Sequence, residues 1–247
     1  MNEEGRMVEG GAIDYRRALR YQLDDENWVT TLLCVTVAMI VPLVGGIVAL
    51  GYQGHVIEAL ARGGAGAPPP RFDFDQLVDY LLRGLRMFVV SLVVMLVLLP
   101  VLWIGSVIML AVVLGTTHAI GPQSTTGIVV GCGLTGLFVL LYLVVGLAAA
   151  VVMTPSIVRA ALDRDFGNIF DLAFARDFLA RTGRDGWWVH LFIIVLSIGL
   201  FIVGLLALII GVFPAMGFTV LVQGHLYGQL YLLYLRRGGR RVEVATA

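Results

Sequence analysis

Residues 187 to 235, from Trp187-Trp188 to Tyr234-Leu235, run for 49 positions without one charged side chain. A single helix of that length would extend roughly 70 Å, over twice a bilayer core of about 30 Å. The strong break is Gly211-Val212-Phe213-Pro214. The stretch therefore reads as two membrane-spanning helices, 187–210 and 215–235, joined by a tight turn. The rest of the chain repeats this plan.

Only 14% of the residues are charged and 59% are hydrophobic, whereas soluble domains carry about 25% charge. The deficit is local. All 17 basic residues are arginine, and they fall in four clusters between apolar runs. A formal net charge of zero leaves no footprint for nucleic acid. Cytoplasmic loops retain positive charge. Residues 61–86 carry four arginines, 154–186 five and the C-terminus four, while the connections 116–126 and 211–214 carry none. This bias places the Arg-rich segments and the C-terminus in the cytoplasm of a multi-pass cell-membrane protein. It sets four full spans: 87–115, 127–153, 187–210 and 215–235. The acidic first 27 residues lack the pattern of a secretory signal.

Residues 1–12 read as a disordered acidic tail. Residues 13–24 form a short amphipathic helix, with Tyr15, Ala18, Leu19 and Gln22 on one face. Residues 29–60 admit two readings. One helix would cross once; two arms bent at Pro42 and Gly45-Gly46 would form a hairpin and keep the N-terminus cytoplasmic. The bend residues favour the hairpin. The Pro-rich segment 61–71 is an extended linker. Phe74, Leu77, Val78, Leu81, Leu85 and Phe88 then mark an interfacial amphipathic helix over 72–86. A third such helix is expected at 164–182, striped by Phe166, Ile169, Phe170, Ala173 and Phe174. Gly183 and Gly186 should end it, and Thr154-Pro155 should open a new helix. Residues 238–247 are a C-terminal tail.

Two internal echoes suggest duplication. Phe74 to Asp79 aligns with Phe166 to Asp171, and Gln53-Gly54-His55 with Gln223-Gly224-His225. The polar side chains of the second echo, with Gln229, form an intramembrane polar face. Such groups are costly in hydrocarbon and should point into the bundle, as interhelical glue or as a solute path. Gly224 and Gly228 form a GxxxG on the same helix, and the other spans are also rich in glycine. These suit close packing within the chain, with a protein partner or with a second copy. His55 and Glu58, three apart, have the spacing of a metal or proton site but no companion ligands, so no metal and no cofactor are expected. His118 and His190 show no partner. Cys34 and Cys132, both in apolar runs, read as inert buried packing residues. Arg83, Arg86, Arg176, Arg181 and Arg184 are expected at the cytoplasmic surface, facing anionic lipid or a partner.

The layout resembles an uncharacterised prokaryotic membrane family, domain of unknown function 4013, over roughly residues 13 to 235. The residues that carry the likeness are Trp28, Gly51-Tyr52, Arg62-Gly63 and the Pro70/Phe72/Asp73 entry to a helix with Gly84-Leu85. Pro155, Ala173-Phe174 and Phe213-Pro214 complete it. The Pro68-Pro69-Pro70-Arg71 run and Ala160-Ala161 depart from the pattern. The resemblance implies a polytopic helical membrane protein and transfers no catalytic residue. The expectation is thus an all-α integral membrane protein of helical hairpins, each preceded by a cytoplasmic interfacial helix. Its expected role is that of a non-enzymatic scaffold or partner-binding subunit. The alternatives are a small-solute or ion transporter built on the repeats and, more remotely, a metalloenzyme at His55 and Glu58.

Overall fold

The computed structural model describes residues 12–41, 43–121, 124–163, 165–207 and 211–242. Most of the acidic tail, Pro42 and residues 243–247 lie outside them. Among the described residues the chain is helical with no strand. Seven α-helices follow in order: α1 (Tyr15–Arg20), α2 (Trp28–Ile40), α3 (Val44–Gly63), α4 (Leu77–Ile120), α5 (Thr125–Leu162), α6 (Leu172–Leu206) and α7 (Val212–Arg236). Among the described residues, three helices are long and apolar enough to cross a membrane: Phe74–Ile120, Thr125–Leu162 and Leu172–Leu206. The sequence expectation was four full spans. The helix at the fourth position, α7, is not among these three, because Gln223, His225 and Gln229 interrupt its apolar run.

The boundaries expected between interfacial helices and spans are absent. α4 and α6 continue unbroken through 86/87 and 182/187. Gly183 and Gly186 lie inside α6, and Pro155 lies inside α5. A glycine costs a helix roughly 1 kcal/mol. In hydrocarbon an unpaired backbone group costs several times that, so the helix continues.

The segments leading into α4 and α6 share one local device. Asp73 accepts a hydrogen bond from the Asp75 amide at 3.0 Å and from Gln76 Nε2 at 3.2 Å. Asp165 accepts from the Gly167 amide at 2.9 Å and from Asn168 Nδ2 at 3.4 Å. Each opens a single 3₁₀ turn, Phe74–Gln76 and Phe166–Asn168. The echo seen in the sequence is therefore a repeated Asp-Phe-x-Gln/Asn turn.

The chain divides into two compact units, residues 92–150 and the remainder. In the larger unit α7 is central. It packs most extensively on α6 and α3, then on α2 and α1. Segment 29–60 is two helices, α2 and α3, packed on each other. Their turn is tight: Leu43 adopts φ 64°, ψ −63°, a strained γ-turn conformation. Gly45 leaves no room for a Cβ, which would lie 1.5 Å from the Ala38 carbonyl oxygen. The GxxxG of α7 faces α3. A Cβ on Gly224 would meet Gln53, and one on Gly228 would meet Leu60 at 2.4 Å. α3 also crosses the start of α4 backbone to backbone. A Cβ at Gly51 would lie 1.8 Å from the Tyr80 carbonyl oxygen, and one at Gly84 1.8 Å from that of Ile47.

The expected apolar stripe on the first turns of α4 faces outward. Phe74, Leu77, Val78 and Leu85 are exposed, whereas Tyr80, Gly84, Arg86 and Met87 are buried. In water that arrangement would be inverted; against lipid it is the favourable one, since the acyl chains are as apolar as leucine. The smaller unit is the facing parts of α4 and α5. Tyr142 Oη reaches the Leu102 carbonyl at 3.2 Å and Ser106 Oγ at 3.1 Å. Cys132 is exposed there, not buried, and Cys34 on α2 is half-buried.

Candidate functional site

The polar side chains expected to form an intramembrane face are gathered, in part, in two hydrogen-bonded sets around α7. In the first, His190 of α6 sits one helical turn after Gly186 and points Nδ1 at its carbonyl, 2.8 Å away. A carbonyl only accepts, so in the neutral ring the proton is on Nδ1 and Nε2 is the acceptor. Tyr227 Oη lies 3.0 Å and Thr154 Oγ1 3.3 Å from that Nε2. Gln223 Nε2 donates to Tyr227 Oη at 2.6 Å. Helices α5, α6 and α7 are thus tied at one point. The sequence showed no partner for His190. Its partners come from 36 and 37 positions away, beyond any local spacing rule.

In the second set, Gln229 clasps the backbone of Asp14. Its Oε1 accepts from the Asp14 amide at 2.7 Å and its Nε2 donates to the Asp14 carbonyl at 2.9 Å. The same Nε2 lies 3.0 Å from His225 Nδ1. That nitrogen must accept, which puts the imidazole proton on Nε2, and Nε2 is enclosed without a hydrogen-bond partner among the described residues. The Tyr21 ring lies over His225 at 4.1 Å. Burial pushes the Tyr21 phenol above its ordinary pKa. Through these contacts α1 is docked on α7, with Ala18 and Gln22 buried and Arg16 and Arg20 exposed.

Gln53, buried, packs over Gly224. The two Gln-Gly-His segments therefore meet where α3 crosses α7. His55 lies elsewhere: its Nδ1 is 3.3 Å from Arg83 Nη1. Glu58 engages Arg62 and Arg83, each at 2.5 Å. Both Glu58 oxygens are taken by guanidinium groups, so His55 and Glu58 belong to an ion cluster.

The expected surface belt of arginines is only partly at the surface. Arg176 and Arg184 are exposed. Arg83 is largely covered by its pairing, and Arg86 is buried. Arg181 binds Asp177 at 2.8 Å and the Arg237 carbonyl. The missed signal was register: Arg83 and Arg86 flank Gly84, and that face of α4 meets α3.

A second polar feature gathers beside the start of α6. Asp171 caps α6 by accepting from the amides of Ala173 and Phe174, and pairs with Arg159 at 2.7 Å. The amide of Phe174 above all, and then Arg159, hold the Asp171 carboxyl below the usual carboxylate range. The chain after α7 folds back over this region. The amides of Arg240 and Val242 donate to Tyr234 Oη and Tyr231 Oη, both at 2.9 Å. Arg159, Asp171, Phe174, Tyr234, Arg240 and Val242 are among the residues lining an open cavity of about 780 Å³.

A family model described as a protein of unknown function, DUF4013, matches residues 34–226. The chain belongs to this family. No curated protein and no solved structure matches the chain. The DUF4013 match contains Gln53, His55, Gln223 and His225, and it ends before Gln229 and the fold-back over 237–242.

Proposed function

We propose that this membrane protein is a non-enzymatic component, a small scaffold or partner-binding subunit, whose Arg-rich segments lie at the cytoplasmic surface of the cell membrane. The observation that supports it is that the polar side chains around α7 mostly bond to one another. Thr154, His190, Tyr227 and Gln223 form one chain of contacts, and Gln229 is spent on the Asp14 backbone. Interhelical bonds of this kind contribute about 0.6 to 2 kcal/mol each, so the set acts as glue. The connecting segments are also pinned. Tyr21 and Tyr52 donate to the carbonyls of Pro68 and Pro70, and Arg237 binds Asp185 at 2.6 Å. Pinned loops with exposed Arg176 and Arg184 suit a platform for a protein partner or anionic lipid. The open glycines of α5, Gly133, Gly136 and Gly146, suit a second copy or another membrane helix.

Affinity capture of the full-length protein from detergent extract, followed by size analysis, tests this reading. A stable partner or a defined oligomer is expected; a solitary monomer would contradict it. Cysteines placed at 120 and 170 test the sidedness. An impermeant maleimide should reach them from opposite compartments, and labelling of both from one compartment would overturn the assignment.

A transporter is the second reading, and the repeated Asp-Phe turn supports it, since many transporters are built from internal repeats. Replacing Gln223, His225 and Gln229 together with Leu would then abolish solute flux in vesicles while the protein still inserts.

A further inference from the structure

We infer that the cavity between Arg159 and the 237–242 fold-back is a binding site for a phosphate ester, supplied either by a phospholipid headgroup or by a soluble phosphorylated metabolite. The inference rests on charge matching inside the cavity. Its lining includes four arginines, Arg159, Arg181, Arg240 and Arg241, and three aspartates, Asp163, Asp171 and Asp177. Each aspartate is committed. Asp163 and Asp171 pair with Arg159, and Asp177 pairs with Arg181. Asp177 also accepts from Tyr234 Oη at 2.8 Å. Arg240 and Arg241 form no ion pair among the described residues. Arg240 and Arg241, both exposed, therefore line the polar cavity without an ion pair within 4 Å, Arg240 acting on Asp177 only from farther away.

Their backbone is held in advance. Tyr231 and Tyr234, both buried, receive the amides of Val242 and Arg240. Gly239 donates to the Tyr234 carbonyl at 3.0 Å, and Val242 is buried as an anchor. Ordering this segment is a cost that the folded chain has already met, so less of the binding energy is lost on it. Arg159 is steadied by the Phe174 ring, 5.2 Å from its guanidinium carbon. Its Nε faces Asp163 at 3.8 Å, beyond hydrogen-bond reach, so the two aspartates already balance its charge and the unmatched positive charge of the cavity lies with Arg240 and Arg241. Guanidinium forks match phosphate oxygens in paired hydrogen bonds, which a carboxylate-lined wall would otherwise oppose. The cavity volume exceeds that of one phosphate group, so an ester with a small polar substituent fits better than inorganic phosphate. This site is independent of the scaffold role.

The test uses the full-length protein in phosphatidylcholine nanodiscs. One arm titrates glycerol 3-phosphate by calorimetry. The other arm follows retention of phosphatidylglycerol by native mass spectrometry. The variant Arg240→Gln/Arg241→Gln should weaken binding at least tenfold in one arm, and the arm that responds identifies the source. The control Arg176→Gln/Arg184→Gln, outside the cavity, should leave binding within twofold. Phenylglyoxal modification of the wild-type protein gives a readout that needs no variant to fold. The active ligand should protect Arg240 and Arg241 and leave Arg176 reactive. Failure of both ligands to bind, equal weakening by the two double variants, or no protection at positions 240 and 241 would each overturn the site.

Discussion

α7 and the hairpin of residues 92–150 follow opposite rules. In α7, 13 of 25 residues are buried, His225 and Gln229 among them. In the hairpin, leucines and valines such as Leu96, Val97, Leu140 and Leu143 are more than half exposed. In water this would be a misfolded protein. In a bilayer both are favourable, because lipid solvates the leucines and the helix bundle alone can satisfy the histidines and glutamines. The interior of the larger unit is largely apolar, but it also holds the buried polar side chains, and glycine marks its closest helix crossings.

The strongest test of that contrast is glycine substitution. Gly84→Ala should destabilise the protein by about 3 kcal/mol or more, since a Cβ 1.8 Å from the Ile47 carbonyl forces two helix backbones apart. Gly136→Ala or Gly146→Ala in α5 meets nothing within 4 Å and should be neutral or stabilising by up to about 1 kcal/mol. Thermal unfolding in one detergent measures both; equal effects would break the contrast.

A second pair compares polar groups. His190→Ala removes the acceptor shared by Tyr227 and Thr154 and should cost about 1 to 3 kcal/mol. Ser106→Ala in the hairpin should cost less than about 0.5 kcal/mol, because Tyr142 keeps the Leu102 carbonyl.

The third test concerns the cap of α6. Asp171→Ala should cost about 1 kcal/mol near neutral pH. Asp171 has its folded pKa lowered by the Phe174 amide and by Arg159. Its contribution is therefore complete above its unfolded pKa of about 4 and disappears as pH falls through the lower folded value. Wild type and variant should converge in melting temperature as the pH drops below about 4; a constant gap would assign the effect to packing. The smallest effect is expected from Asp73→Asn, which keeps an acceptor for the Asp75 amide and should change stability by a few tenths of a kcal/mol.

The helical, membrane-embedded class was legible because uncharged runs such as 187–235 leave few alternatives. The Asp-Phe turn was legible as an echo, since its hydrogen bonds are local. Helix ends were less so. Gly183, Gly186 and Pro155 look like breaks by the rules of soluble helices, and in lipid those rules weaken. The orientation of the 74–88 stripe was legible in spacing but not in sign, since periodicity identifies a face without saying which solvent it meets. His190 and Arg86 were misread for another reason. Their surroundings are assembled from other helices, and no single-segment pattern contains them. The match between Gln229 and the Asp14 backbone, 215 residues apart, is of the same kind.

The central position of α7 has a consequence for biogenesis. The least apolar of the four longest described helices leaves the ribosome after α2 to α6 have been made. Its partners include Gln53 of α3 and His190 of α6, on helices already made. Nascent chains stopped before residue 212 would lack the Gly224 backbone against Gln53 and the Tyr227 hydroxyl beside His190.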